Sequence, residues 1–305
     1  MNDVIQLNTI SELHAFLGFE KPKHPLVSVT RFSQDQFPAA AFDEQRYALG
    51  LYTVGLKEGR VGSYSYGRNT YDFHEGTMVF MAPGQTMQDV VLSEVLPVET
   101  ESWILMFHPD LIRRSDLGDK IDSYTFFNYE IHEALHLSED EKASATDIIH
   151  KIEQEYSQNI DRHSQDLIVS NIKLLLDYCT RYFDRQFHMR SNLNQDIVTK
   201  FEQFLKGYYN SDKPEELGVP SVAYCGEALN MSPYYLSDLL KKETGRSAQD
   251  HIHFFVVEKA KTKLLNSNDS VSSIAYDLGF EYPQHFSKVF KTKTGLSPRD
   301  YRSMN

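Results

Sequence analysis

The sequence predicts an α+β protein of more than one domain, with antiparallel β structure first, a helical middle and an all-α C-terminal region. Three observations carry this expectation. Short runs rich in Tyr, Val, Phe and Leu, punctuated by turn residues, occupy positions from about 25 to 130. From Ser138 onward the apolar spacing becomes helical. Residues 232–245 and 282–295 then repeat one another when Gly245 and Gly295 are set in register. A chain of 305 residues is long enough for this, at roughly 150 per domain.

The runs LVSVTRF, YALGLYTVGL, VGSYSYG, TMVFMAPG and ESWILMF read as strands. Turn chemistry recurs at Glu58-Gly59, Gly67-Arg68-Asn69, Glu75-Gly76 and Pro83-Gly84. Many short strands at this spacing indicate a sandwich or small barrel over residues 1–137. The segment SEDEKASATDIIHKIEQEY opens on Ser138 with acids in its first turn, as an N-cap and the helix dipole favour.

A second helix covers about 164–186, with Ile168, Ile172, Leu175, Cys179 and Tyr182 on one stripe. The stripe serves either packing under the β domain or a helix pair across a homodimer axis, and spacing alone does not separate the two. Residues 138–195 thus form a helical dimerisation or linker region, closing on a polar linker at 189–195. The last domain, 196–305, begins with a helix bearing Ile197, Phe201, Phe204, Leu205 and Tyr208 on one face, followed by the loop SDKPEELGVP.

Composition is that of an ordinary globular protein, at 41% hydrophobic and 24% charged. No apolar run approaches the ~18 residues of a membrane helix. The N-terminus lacks a basic stretch followed by an apolar one, so no signal peptide is expected. Two cysteines, Cys179 and Cys225, make neither a disulfide framework nor a cysteine zinc site. These features predict a soluble cytoplasmic protein with no membrane partner. The net charge of −12 argues at first against nucleic acid, but residues 196–305 carry 14 basic and 14 acidic side chains, so the excess lies upstream. Exposed charges beyond a Debye length of about 8–10 Å are largely screened, and an acidic neighbour does not keep this domain from phosphates.

The repeat carries the function. SPYYLSDLLKKETG lies over YPQHFSKVFKTKTG, and Leu236, Leu239 and Leu240 fall on Phe286, Val289 and Phe290. Pro233 and Pro283 suit a first helical position, Ser232 a cap, and each copy finishes on Thr-Gly. A short helix and tight turn precede each copy. In the second copy, Ile274, Ala275 and Leu278 pack inward and Gly279 permits the turn before Phe280. Two such units are helix-turn-helix units. A helix from about Ser247 to Leu265 joins them, with Ile252, Phe255, Val256, Lys259-Ala260 and Leu264 along one side.

With the apolar face inward, the outward residues follow. In the first recognition helix and its start the candidate DNA-contacting set is Ser232, Pro233, Tyr234, Ser237, Asp238, Lys241 and Lys242. In the second it is Pro283, Gln284, His285, Ser287, Lys288 and Lys291. Gln pairs with adenine and Lys reaches guanine, while Arg246 and Lys293 suit phosphates. The plain alternative is a set of packed helical hairpins with solvated lysines, and two copies with matched caps and turns weigh against it.

At this point the chain resembles the AraC/XylS family of bacterial transcription regulators. SVSSIAYDLGFEYPQHFSKVFKTKTGLSPRDYR (270–302) is similar to the family's signature around the second helix-turn-helix, and LSDLLKKETG and EKAKTKLL fit the first unit and the linking helix. The resemblance implies promoter DNA as partner, RNA polymerase as the target of activation, and a cupin-like N-terminal barrel or jelly roll that senses a small molecule or dimerises. It also implies base-facing places for Tyr234, Ser237, Asp238, Pro283, Gln284 and Lys288. The sequence departs from the family at Asp238, where Arg is common, at Cys225-Gly226, which replaces a Leu-Ala pair, and at Val256, where Arg is frequent.

No catalytic residue, metal or cofactor is expected, and the chain is read as a non-enzyme. DFHEGTMVFMAPGQ (72–85) resembles the turn-strand-turn piece of a cupin, but His74 stands alone where metal cupins need several ligands. His132-Glu133-Ala134-Leu135-His136 matches the zinc-protease pattern H-E-x-x-H without an obvious third ligand, and coincidence is the preferred reading. A metallohydrolase built on it is the remote alternative. The clustered Tyr47, Tyr52, Tyr64, Tyr66 and Tyr71 are read as packing and His74 as a turn histidine; the alternative is an effector pocket lined by Tyr47, Tyr52, Tyr64, Tyr66 and His74. A constitutive or protein-controlled regulator without a ligand is the alternative to effector control.

Overall fold

The computed structural model describes residues 5–31, 47–57, 65–66, 69–70, 76–87, 102–130, 133–158, 161 and 163–303. The chain divides into two compact units, Met1–Met189 and Arg190–Asn305. In the first, β1 (Ile5–Leu7) leads into α1 (Ile10–Leu17). Thr9 and Glu12 form a capping box there, each side chain accepting from the other's backbone N–H. Strands β2 (Val27–Arg31), β3 (Tyr47–Leu49), β4 (Tyr52–Lys57), β5 (Ser65–Tyr66), β6 (Asn69–Thr70), β7 (Thr77–Met81), β8 (Thr86–Met87) and β9 (Trp103–Phe107) follow. Next come α2 (Pro109–Ile112), α3 (Asp116–Lys120), β10 (Leu135–His136), α4 (Glu139–Ser157) and α5 (Ser164–Met189).

Five strands form an antiparallel sheet in the order β10-β7-β4-β9-β2. Its inner positions, Val54, Leu56, Met78, Leu105 and Phe107, are buried. β1, β3 and β8 make a second sheet, in which β1 runs parallel to β3, and α1 packs its Ile10, Leu13 and Leu17 against it. Helices α4 and α5 close the unit. Trp103 is fully buried, and its indole N–H donates to Thr146 of α4 at 3.2 Å. Phe183 of α5 stacks on Phe126 and meets Phe80 of β7.

Both outer strands of the five-stranded sheet are closed by helix side chains. On β2, the Tyr156 hydroxyl accepts from the Val29 N–H at 3.1 Å and donates to the Val29 carbonyl at 3.3 Å. On β10, Gln186 Oε1 accepts from the His136 N–H at 2.9 Å, and Arg185 donates to the His136 carbonyl at 2.6 Å. These bonds satisfy backbone groups that an edge strand leaves open.

Two expectations need correction, and two open alternatives narrow. The β reading of 25–130 stops too late: after β9 the chain turns helical, because Pro109 sits in the first turn of α2 and Ser115 caps α3. The polar linker expected at 189–195 is helical on both sides of Arg190, since α5 runs to Met189 and α6 (Ser191–Tyr208) begins at once. Asn194 is buried there and donates to Glu243 at 2.8 Å, a partner the local sequence does not announce. The α5 stripe Ile168, Ile172, Leu175, Cys179 and Tyr182 is buried within its own unit, so it is core packing and is not open to a partner chain. His136 lies on a strand, its Nδ1 3.3 Å from Thr77 Oγ1, so the H-E-x-x-H segment lacks the helix that would put two imidazoles on one face. His132 lies outside the described residues, and Glu133 is buried, accepting from the Glu130 N–H.

The second unit is helical throughout its described elements. After α6 come α7 (Lys213–Leu217), α8 (Val222–Leu229), α9 (Pro233–Thr244), α10 (Ala248–Asn266), α11 (Val271–Asp277), α12 (Pro283–Thr294) and α13 (Pro298–Ser303). Among the described residues no helix is long and apolar enough to cross a membrane.

Candidate nucleic-acid interface

Local chemistry builds each helix pair. In the first, the Ser221 hydroxyl caps α8 and Asn230 takes the left-handed conformation at its end, φ 54°. The Met231 N–H then donates to the Gly226 carbonyl at 2.9 Å, and Ser232 caps α9 by accepting from the Tyr235 N–H at 3.1 Å. In the second, Ser270 caps α11, Gly279 supplies the left-handed residue at φ 89°, and the Phe280 N–H donates to the Ala275 carbonyl at 2.9 Å. Pro occupies the first turn of both α9 and α12, and Gly245 and Gly295 end them at φ 77° and 81°.

Burial fixes the faces. Leu236, Leu239 and Leu240 are fully buried on α9, and Phe286, Val289 and Phe290 are buried on α12. Tyr234, Lys241 and Lys242 are exposed on α9, with Ser237 and Asp238 half-buried. On α12, Gln284, His285, Lys288 and Lys291 are exposed, with Pro283 and Ser287 half-buried. Helix α10 carries Ile252, Val256, Val257, Ala260 and Leu264 inward. Phe255 is only half-buried and stacks on Tyr209, with Lys259 Nζ 6.0 Å from its centroid.

Several candidate residues are already engaged. Ser232 is buried and spent as the cap of α9, which removes it from the contact set. The Ser287 hydroxyl donates to the Pro283 carbonyl at 3.0 Å, and Ser237 Oγ accepts from the Ala248 N–H at 3.4 Å. Lys293 Nζ sits 2.7 Å from Asp250 Oδ1, so this cation is paired, and the Arg246 guanidinium lies 4.4 Å above the Phe254 ring. Lys241, Lys242, Lys291 and Lys293 fall in last helical turns, where cations also favour the helix dipole. Burial holds His251 and His253 of α10 below the ordinary histidine range, with Arg246 and Lys293 pushing the same way. At neutral pH these rings therefore add no charge to the face.

Of the residues expected to line an effector pocket, Tyr47 and Tyr52 have described side chains, and these two lie in different packing clusters. Tyr47 is buried in the α1 cluster with its ring against Phe16, and Tyr52 stacks on Phe107 in the other sheet. Tyr64 and His74 lie outside the described residues, as does the side chain of Tyr66. Sequence reasoning also passed over Tyr282, exposed at the start of α12. The signal was the absence of Ser, Thr, Asp or Asn where a cap is expected.

A short helix, a tight turn and an exposed, Pro-started helix are the parts of a helix-turn-helix arrangement. A family model described as "Helix-turn-helix domain" matches residues 225–304. An uncharacterised HTH-type transcriptional regulator, YobQ of Bacillus subtilis, is 33% identical over 96 residues, which are 32% of this chain and 39% of that protein. The chain thus spans well under half of that relative. The lactose operon transcription activator of Staphylococcus xylosus is 20% identical over 85% of this chain and 84% of its own length. Among solved structures, the C-terminal domain of AraT, a response regulator from Geobacillus stearothermophilus, is 29% identical and covers 36% of this chain and 85% of that one, at a TM-score of 0.32. The likeness thus lies in the C-terminal region, where residues 225–304 match a helix-turn-helix domain found in transcription regulators. The two relatives are described as a transcriptional regulator and a transcription activator.

Proposed function

We propose that this chain is a sequence-specific DNA-binding transcription regulator, acting as an activator that works on RNA polymerase at promoter DNA. Helices α8–α9 and α11–α12 serve as two helix-turn-helix units, and α9 and α12 enter successive major-groove segments of one duplex. The matched pairs on either side of α10 support this reading. That helix has 19 residues and rises roughly 28 Å at 1.5 Å per residue, close to the ~34 Å between successive groove segments. In this reading Tyr234, Gln284 and Lys288, exposed on α9 and α12, meet base edges, and Lys241 and Lys291 meet phosphates. Residues 1–137 act as a cupin-like regulatory domain, with 138–195 coupling it to the DNA-binding domain of 196–305. Sugars are the first effectors to screen, because a relative matched over most of its length is named for the lactose operon.

Footprinting of the full chain on its native upstream region tests the proposal, with protection over two adjacent groove segments expected. No protection at low ionic strength overturns it. Lys288→Ala is expected to cost about 1–3 kcal/mol at one base step and to relax discrimination there, read by competition among operator variants. Effector control is tested by thermal shift, since a ligand at 100 times its Kd stabilises by about 2.7 kcal/mol.

A further inference from the structure

The two recognition helices begin differently, and the difference lies in one side chain. α9 starts at a buried Ser232 whose hydroxyl caps it. α12 starts at Tyr282, which offers no side-chain cap and is 54% exposed. From Gly226 to Pro233 and from Ala275 to Pro283, the second path is one residue longer, and that residue places Tyr282 at the helix start. Its backbone is extended, φ −123° and ψ 115°. The ring is therefore held at the same end of α12 as exposed Gln284, within the first turn that a recognition helix presents to base edges.

A cap residue at this position would stabilise the helix, and an exposed aromatic ring there contributes no cap. We infer that Tyr282 is a specificity-determining residue of the second unit, its ring contacting base edges or a thymine methyl in the major groove. This rests on the DNA-binding reading above. Tyrosine supplies a rigid apolar face at low conformational cost, and the thymine C5-methyl is the apolar feature that the groove displays.

The test exploits opposite signs. Tyr282→Ser supplies the missing cap and removes the ring, so the full chain should melt higher while its affinity for its selected duplex falls about tenfold and one base position loses its preference. Tyr282→Phe should keep affinity and preference, since the ring remains. The duplex is first selected by the wild-type chain from a random library. Failure of the wild type to select any sequence sinks the DNA-binding reading itself. A Tyr282→Ser chain that keeps the wild-type affinity and base preference overturns the role of the ring. So does one that weakens equally on every sequence, or a Tyr282→Phe chain that loses the preference.

Discussion

The two helix pairs of the second unit reach one geometry through different chemistry. In α8–α9 the close approach falls at Gly226, where a Cβ would lie 2.5 Å from the Met231 carbonyl oxygen. The matching position of α11–α12 is Ala275, fully buried, so a methyl fits there. In α11–α12 the tight spot is Gly279, whose Cβ would lie 2.5 Å from the Gly218 carbonyl carbon, while Asn230 holds the equivalent left-handed place in the first pair. The second turn is also tied to the segment ahead of α8: the Val219 N–H donates to the Gly279 carbonyl at 3.0 Å, and the Tyr208 hydroxyl donates to the Gly218 carbonyl at 2.7 Å. The lesson is that each pair places its indispensable glycine where another backbone segment passes, so a shared motif does not imply shared tolerance.

The sharpest way to break this contrast is Gly279→Ala. It combines a positive φ with a backbone clash, and a loss of about 3 kcal/mol is expected, read as the shift in urea midpoint of the full chain. A loss under ~1 kcal/mol would mean that the 218–220 segment yields freely. Gly226→Ala comes next, at about 2 kcal/mol. Helix propensity alone favours Ala by ~1 kcal/mol, so the sign of the change separates crowding against Met231 from propensity. The smallest effect concerns Asp250, which faces Lys293 and the Ser247 hydroxyl. The hydrogen bond from Lys293 comes first among the causes that hold its carboxyl below the ordinary 3.8. A depressed carboxyl contributes stability above its unfolded pKa and loses it as pH falls through the folded value. Both side chains are partly exposed, so Asp250→Asn is expected to cost only a few tenths of a kcal/mol at pH 7, and the wild-type and variant stabilities should converge below about pH 4.

The C-terminal helices were legible because local signals agreed there. Pro233 and Pro283 mark starts, Gly245 and Gly295 mark ends, and the apolar positions between them are buried. What the sequence hid was tertiary. Gly226 reads as a helix-interior penalty until Met231 is seen to pass against it. Asn194 reads as linker until Glu243 is found opposite. The segment after Phe107 reads as strand-rich because helices of four and five residues are too short to show a period. The stripe on α5 is correct as a pattern, and only the sheet beneath it decides what it covers.

The Tyr156 and Gln186–Arg185 bonds at the two flanks of the five-stranded sheet bear on how copies of the molecule can meet. With those main-chain groups occupied, a guest strand pairing at Val29 or His136 must first evict a helix side chain. Strand addition at these two points therefore competes with a helix side chain for the same main-chain groups, which makes Tyr156, Gln186 and Arg185 single-residue guards of the sheet's flanks.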